Sequence, residues 1–270
     1  MPVQLKPISA SALKSLAKSP EHCYANHLDP DRVRTETDAM FLGTLIHAML
    51  LEPKEVAGRY VKMPDGMIRR GAKWNEFKAL NDEKTIVKSA TWDKAEEAVK
   101  RVKKDEAAGI FLNGQKRNIF TEQRCEWSEP IDYLGDRHYV DMVGYIDHMN
   151  TGTKRMVDIK TTSNADDLSK LAKDGRWDIQ AVQYLNYMYH SRGEHWQMFF
   201  IVVEVNSPFR IRVVELSPVA IQAGRADRDR LIKDYMDRSE RNDWSGSQGV
   251  SEVDMPVWFS RTLEDLNDVC

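Results

Sequence analysis

The sequence predicts an α/β fold in which a mixed central β-sheet is flanked by helices. Segments rich in β-branched and aromatic residues are expected to be strands at about 119–127, 137–148, 154–161, 196–206 and 209–216. Stretches with helical periodicity precede, separate and follow these segments. Strands and helices interspersed along one chain in this way are typical of a sheet covered by helices.

The N-terminal part of the chain is predicted to be mainly helical. Helices are expected over residues 8–18, 39–51, 74–80 and 88–107. Ser9 is a candidate cap for the first of them, and the second is apolar around a lone histidine, His47. Residues 54–85 are otherwise expected to be loop-rich, with a turn at residues 64–66.

Helices are also expected over residues 164–173, 178–191 and 217–239. The tail from residue 242 has no clear period. No linker or internal repeat interrupts the chain, so one domain is expected over residues 1–270. Its parts are a helical portion at about 1–115, a core at about 116–240 and the tail at about 241–270.

Composition excludes several classes of protein. Of the 270 residues, 41% are hydrophobic and 30% are charged, which is typical of a globular protein. No apolar run is long enough to span a membrane, and the N-terminus lacks the apolar core of a signal peptide. The three cysteines are far apart and cannot supply the four thiolates of an iron–sulfur cluster. We therefore expect a cytoplasmic protein without a membrane partner.

Asp158 and Lys160 are the first candidate functional pair. They stand two residues apart in a predicted strand, so their side chains are expected on the same face, opposite Val157 and Ile159. A carboxylate can hold Mg²⁺ there while the ammonium orients or deprotonates an attacking water. This is the arrangement that metal-assisted cleavage of a phosphodiester requires.

Asp147 is the second candidate carboxylate. Turn residues at 150–152 predict a hairpin that brings Asp158 back close to Asp147. Two converging carboxylates repel each other unless a cation lies between them. The alternative interpretation is a surface hairpin with an Asp/Lys pair across its strands.

Four motifs, taken in order, resemble the PD-(D/E)xK nuclease superfamily and, within it, the RecE (exonuclease VIII) group of phage recombination exonucleases. Gly43 to Pro53 is similar to the family's G-x-x-x-H…L-L-E-P helix, and Asp158 to Thr162 is similar to its D-[IV]-K-T-T strand. Gln180 to Tyr184 resembles the Q-x-x-x-Y helix of the RecB-like branch. Gly144 to Asp147 departs from the family's R-P-D but keeps the Asp. The resemblance extends from about residue 8 to residue 215.

The resemblance implies a restriction-endonuclease-like core with a Mg²⁺ site, in which Mn²⁺ can substitute. The implied metal ligands are Asp147, Asp158, the backbone carbonyl of Ile159, and His47. Lys160 is expected to orient the water. Gln180 and Tyr184 are expected either to position the scissile phosphate or to brace Lys160. Glu122, on the preceding strand, is a weaker candidate for support of the metal ligands.

The candidate contacts to DNA come from two places. One is the basic stretch of Arg69, Arg70, Lys73 and the aromatic Trp74, which lies in a predicted loop. The other is Ser11, because residues 8–13 resemble the I-T-A-S string of lambda-type exonucleases, where the Ser contacts a terminal 5′-phosphate. The alternative role for these N-terminal hydroxyls is helix capping. The net charge of −3 means that DNA binding has to depend on such local basic clusters.

The function implied by the resemblance is a metal-dependent exonuclease that degrades linear double-stranded DNA from 5′ to 3′. It would leave 3′ single strands for an annealing protein and would act as a homo-oligomeric ring. Polarity, ring and partner come from the family and not from individual residues. Two alternatives stay open, an endonuclease of the same superfamily and a non-catalytic DNA-binding or assembly subunit. The second is disfavoured because Asp147, Asp158 and Lys160 are all present.

Overall fold

A mixed β-sheet of six strands forms the centre of the computed structural model, which describes residues 6–33, 35–246 and 250. In the described residues the strands are β1 (Ile8–Ser9), β2 (Tyr60–Lys62), β3 (Thr85–Val87), β4 (Ile119–Tyr133), β5 (Asp136–Asn150), β6 (Arg155–Thr162), β7 (Gln197–Glu204) and β8 (Ile211–Glu215). The central sheet has the order β1-β5-β6-β7-β8, with β4 on the other side of β5. The predicted fold class is confirmed.

Helices cover both faces of this sheet. In the described residues they are α1 (Ala10–Lys18), α2 (Pro20–Cys23), α3 (Asp38–Leu51), α4 (Val56–Arg59), α5 (Ala72–Ala79), α6 (Ser89–Lys104), α7 (Glu106–Leu112), α8 (Leu168–Asp174), α9 (Trp177–Arg192) and α10 (Pro218–Arg241). None of these helices combines enough length and apolar character to cross a bilayer.

Two hydrophobic clusters, one on each face, hold the helices against the sheet. Along β7, Phe200 and Val202 belong to the cluster that includes α1, α9 and α10, whereas Ile201 and Val203 belong to the cluster that includes α3, α6 and α7. This alternation follows from the period of two in a strand. A central strand that is apolar on both faces is expected where helices cover both sides.

The pairing between β5 and β6 is short, and this determines where the functional residues lie. The two strands pair antiparallel only from Asn150↔Arg155 to His148↔Val157. On its other side, β6 pairs in parallel with β7 along its whole length. The next residues on either side of the fork are Asp147 and Asp158, so both carboxylates lie where the strands separate.

The hairpin of β4 and β5 is longer than the sequence predicted. The predicted strand ended near residue 127, but β4 continues to Tyr133 and pairs with β5 to the tip. Leu134 and Gly135 have φ of 53° and 90°, which is the left-handed conformation that a tight two-residue turn requires. Pro130 is tolerated because β4 is an edge strand, so its missing N–H faces away from the ladder.

Two further predictions for the N-terminal part need correction. The loop-rich stretch contains α4 and a small parallel sheet, with β2 paired to β3 from Tyr60↔Thr85 to Lys62↔Val87. Three-residue strands are too short to show alternation. The helix predicted over 88–107 is two helices, because Asp105 ends α6 and caps α7 by accepting from the Ala108 amide. Most of the predicted tail lies outside the described residues.

A buried polar network fixes the N-terminal segment against the sheet. The fully buried Arg228 of α10 donates to Glu129 Oε1 and to Gln183 Oε1, at 2.6 Å in each case. Gln183 in turn donates to the carbonyl of Ile8 at 3.1 Å, and Trp127 donates to Glu129 Oε2 at 2.9 Å. The network therefore links α10, β4, α9 and β1. Loss of one member leaves a buried charge or donor without its partner.

We predict that Glu129→Ala lowers the free energy of unfolding by about 3–5 kcal/mol, because it removes the close buried carboxylate and leaves the Arg228 guanidinium only Asp229, half-exposed and 3.7 Å away, as an ion-pair partner. Urea denaturation measures this change. Arg241→Ala is the control. It removes the ion pair between Arg241 and Asp237 on the same helix, where the Arg241 side chain is 67% exposed. That variant should lose less than about 1 kcal/mol. Equal losses in the two variants would contradict a structural role for the network.

Candidate active site

Asp147 occupies the fork between β5 and β6. Its Oδ2 accepts a hydrogen bond of 2.7 Å from the amide of Ile159, the group that β5 would bond if the two strands stayed paired. Burial, and then repulsion by the neighbouring Asp158, raise the pKa of Asp147 well above its ordinary value. A cation placed between the two carboxylates would offset both effects.

His47 reaches the same place from α3. Its Nε2 donates to the carbonyl of Ile159 at 2.9 Å, and its Nδ1 lies 3.4 Å from Asp147 Oδ2. When Nε2 donates, Nδ1 carries the lone pair that a metal ion requires. Burial lowers the pKa of His47, which favours the neutral imidazole. The Ile159 carbonyl thus accepts a hydrogen bond from His47. Its role as a metal ligand stays a prediction.

Gly43 explains how α3 can bring His47 so close to β6. A Cβ atom at Gly43 would lie 3.0 Å from Thr161 Oγ1, tighter than ordinary van der Waals contact. Gly43 precedes His47 by four residues, so the two stand one turn apart on one side of the helix. The glycine in the G-x-x-x-H motif therefore sets the distance at which the imidazole meets the strand.

Glu122 is placed opposite Asp147 by the register of β4, between the pairs Thr121↔His148 and Gln123↔Ile146. It has φ of +48°, a left-handed conformation that interrupts the ladder at this residue. Burial first, then Glu52 and Asp158, raise the pKa of Glu122. Strained backbone of this kind concentrates at functional sites. Sequence analysis predicts only a supporting role for Glu122.

His47, Glu122 and Asp147 together make a candidate metal site. One ligand atom from each side chain lies within 4.8 Å of the others. Two carboxylates and an imidazole suit Mg²⁺ or Mn²⁺ by the chemistry of their donors. A cleft of about 500 Å³ opens beside this group and is lined also by Glu52 and Arg59, which pair at 2.7 Å.

Asp158 lies on the other side of the fork, where α9 approaches. Its Oδ1 accepts from Gln180 Nε2, and its Oδ2 lies 2.6 Å from Lys160 Nζ. Lys160 also donates to Gln180 Oε1 at 2.9 Å. Gln180 thus contacts both members of the Asp-x-Lys pair. The assignment of Asp158 as a direct metal ligand stays a prediction.

Tyr184 follows Gln180 by one turn of α9. Its hydroxyl donates to the carbonyl of Tyr145 at 2.6 Å. Its ring lies on Gly144, where a Cβ atom would come within 2.7 Å of Tyr184 Cε1. Gly144, the first residue of the string that departs from the family's R-P-D, therefore makes room for this tyrosine. The catalytic role expected for Tyr184 stays a prediction.

Lys14 is a member of this group that sequence reasoning missed. From α1 it donates to Gln180 Oε1 at 2.7 Å, the same oxygen that Lys160 contacts. Burial, and then the charge of Lys160, lower the pKa of Lys14 to about 8. The only sequence signal that could have indicated Lys14 is its position three residues after Ser11, which places the two side chains on one side of a helix.

The predicted DNA contacts are exposed, except for Trp74, which is half-buried. Ser11 lies 2.9 Å, oxygen to oxygen, from Ser9, and it is Ser9 that caps α1 by accepting from the Ala12 amide. The helix predicted over 8–18 therefore begins at Ala10, because Ile8–Ser9 pairs with β5.

The basic stretch lies at the start of α5. The Arg69 guanidinium is 5.7 Å from the Trp74 ring and donates to the carbonyl of Ile86. Arg70 and Lys73 are exposed. Within the described part of the chain, no hydrogen bond or ion pair joins this stretch to the residues at the fork. Its contact with DNA stays a prediction.

A family model described as "PDDEXK-like domain of unknown function (DUF3799)" matches residues 9–253. The chain belongs to this PDDEXK-like family. The predicted membership of the PD-(D/E)xK superfamily is confirmed, and the fork with its Asp-x-Lys strand is the part of the fold after which the superfamily is named. No curated protein matches the chain.

Two solved structures resemble this PDDEXK-like domain. The first is named a "putative exonuclease" from Eubacterium rectale and has a TM-score of 0.61 at 16% identity, covering 87% of this chain and 82% of its own. The second, SSO0001, has a TM-score of 0.31 at 15% identity, covering 74% and 87%. At 16% identity the first structure supports the fold alone.

We predict that Glu122→Gln and His47→Ala each weaken Mn²⁺ binding at least about tenfold, since each removes a donor from the site. Lys160→Ala should leave the affinity for Mn²⁺ nearly unchanged, because an ammonium has no lone pair to donate. Calorimetric titration with Mn²⁺ compares the three variants. Glu126→Gln, an exposed carboxylate on the same strand, is the matched control. Wild-type affinity in Glu122→Gln would exclude that residue from the site.

Proposed function

We propose that the protein is a metal-dependent nuclease that hydrolyses phosphodiester bonds of DNA. The observation that carries this proposal is the convergence, at one fork in the sheet, of a candidate metal site with the Asp158–Lys160 pair. His47, Glu122, Asp147 and Asp158 would hold the ion. When bound, Mg²⁺ or Mn²⁺ supplies Lewis-acid stabilisation of the phosphate and a more acidic bound water.

The chain's own residues would orient the reacting groups. Gln180 holds the Asp158 carboxylate and the Lys160 ammonium in fixed positions, so neither side chain has to be ordered when substrate arrives. Lys160 is then placed to hold or accept a proton of the attacking water. Its ion pair with Asp158 keeps the ammonium beside the carboxylate rather than in solvent.

Within the nuclease class we infer a 5′→3′ exonuclease of the RecE group that acts on ends of linear double-stranded DNA. The motifs at Gly43–Pro53, Asp158–Thr162 and Gln180–Tyr184 support this inference. The name of the similar structure from Eubacterium rectale agrees with an exonuclease and says nothing of its polarity. The same resemblance supports a chain with one nuclease domain and the assembly of several chains into a homo-oligomeric ring. It also supports Mg²⁺ as the usual metal and a single-strand annealing protein as partner. Ser11 and the stretch Arg69, Arg70, Lys73 and Trp74 are the proposed contacts to DNA.

The test is digestion of matched linear and covalently closed circular duplexes with Mg²⁺, with a label at either the 5′ or the 3′ end of the linear DNA. We expect loss of linear DNA only and early release of the 5′ label. Cleavage of the circle would make the protein an endonuclease. DNA binding without cleavage of either substrate would favour the non-catalytic subunit. Release of the 3′ label first would reverse the polarity.

We predict that Asp158→Asn lowers cleavage by orders of magnitude while the protein stays folded, because the amide keeps the shape but loses the charge. Asp141→Asn, an exposed position on β5, should keep wild-type activity. EDTA should abolish cleavage, and Mg²⁺ or Mn²⁺ should restore it. Ca²⁺ should bind without supporting turnover, since its coordination is looser. Near-wild-type rates in folded Asp158→Asn would contradict the site assignment.

A further inference from the structure

Lys14 and Lys160 donate to the same oxygen atom, Oε1 of Gln180, at 2.7 and 2.9 Å. Lys14 comes from the N-terminal helix and Lys160 from the core strand, so the contact joins segments that are far apart in the sequence. Because one amide oxygen accepts both, the two ammonium groups are forced close together. Two neighbouring ammonium groups repel each other, and a partly buried place strengthens the repulsion.

Residues next to Lys14 are anchored in the sheet and the core, so its position does not depend on the hydrogen bond to Gln180. Ile8, which precedes α1, is paired with β5 and receives a hydrogen bond from the buried Gln183. Gln183 is held by Arg228. Leu13, next to Lys14, is fully buried in the core. The fold therefore keeps the ammonium beside Gln180 despite the repulsion.

Lys14 also lacks a direct carboxylate partner in the described residues, where its one hydrogen bond is to Gln180. The charged groups that face it are Lys160 and Asp158 of β6 and, at the start of α9, Arg176 and Asp178. Arg176 is itself paired with Asp178 at 2.9 Å. An ammonium has three donors, so two remain for an anion that arrives at this side of the fork.

We propose that Lys14 is a second phosphate-binding lysine of the active centre, which donates to a non-bridging oxygen of the scissile phosphodiester beside Lys160. This proposal rests on the proposed nuclease function and deepens it. Lys14 would neutralise the negative charge that accumulates on the equatorial oxygens as the phosphoryl group is transferred. Repulsion between the two lysines is relieved when an anion binds between them, so the site is stabilised by its substrate.

The experiment compares Lys14→Met, Lys14→Gln and Lys14→Arg with wild type, using Lys18→Met as the matched control. Lys18 lies one turn later on α1 and is exposed. Cleavage of linear duplex is measured with Mg²⁺. Binding of the same duplex is measured with Ca²⁺ across a range of salt concentrations, and Mn²⁺ affinity is measured without DNA.

We expect Lys14→Met and Lys14→Gln to lower kcat by about 10²–10³-fold, as the loss of one preorganised donor to a transition state does. The slope of log affinity against log salt should fall by about 1, because one phosphate contact is lost. Lys14→Arg keeps the charge and should keep the slope. Mn²⁺ affinity should stay the same in all variants, and Lys18→Met should behave as wild type.

Wild-type kcat and salt slope in folded Lys14→Met or Lys14→Gln would overturn the proposal and leave the nuclease function intact. Loss of activity with an unchanged salt slope would also overturn it, because Lys14 would then act only by holding Gln180. If wild type cleaves no DNA, the nuclease function fails. A slope that still falls in Lys14→Gln would in that case support the phosphate contact independently.

Discussion

The hydrogen bond from the Ile159 amide to Asp147 Oδ2 is the interaction on which the candidate site depends. It takes the place of a ladder bond that is lost where β5 and β6 separate after His148↔Val157. Had the strands stayed paired, Asp147 and Asp158 would be direct partners in the ladder, with their side chains on the same face of the sheet. Where the strands separate, the Asp147 carboxylate instead accepts from the Ile159 amide at the edge of β6. Parallel pairing of β6 with β7 keeps the other edge of β6 fully bonded.

The two faces bring different chemistry to the fork. On the side of α3, His47 and Glu122 join Asp147 to make a group that suits a divalent cation. On the side of α9 and α1, Gln180 arranges two lysines beside Asp158. A phosphodiester needs both kinds of group, since its negative charge and its attacking water are stabilised by different partners. The metal-site group of His47, Glu122 and Asp147 thus lies on one side of the fork, and the two ammonium groups lie on the other side, beside Asp158.

The residues that could be predicted from the sequence are those whose geometry is local. Asp158 and Lys160 follow from a strand period of two, and Gln180 and Tyr184 from one turn of a helix. Only a supporting role could be predicted for Glu122, because its position opposite Asp147 depends on the register of two fifteen-residue strands and on a left-handed φ. Lys14 could not be predicted at all, since it meets Gln180 across 166 positions of sequence. Long-range pairing of this kind leaves no periodic signal.

Close approach of backbone elements explains why two glycines stand near the acidic residues. Gly43 lets α3 approach Thr161, and Gly144 lets the Tyr184 ring lie against β5. Each glycine removes a side chain where a helix has to approach a strand of the fork. Because Tyr184 then bonds the carbonyl of Tyr145, α9 is attached to β5 two residues before Asp147. The same helix holds Asp158 through Gln180. One rigid element therefore sets the separation of the two strands, and with it the distance between the two carboxylates.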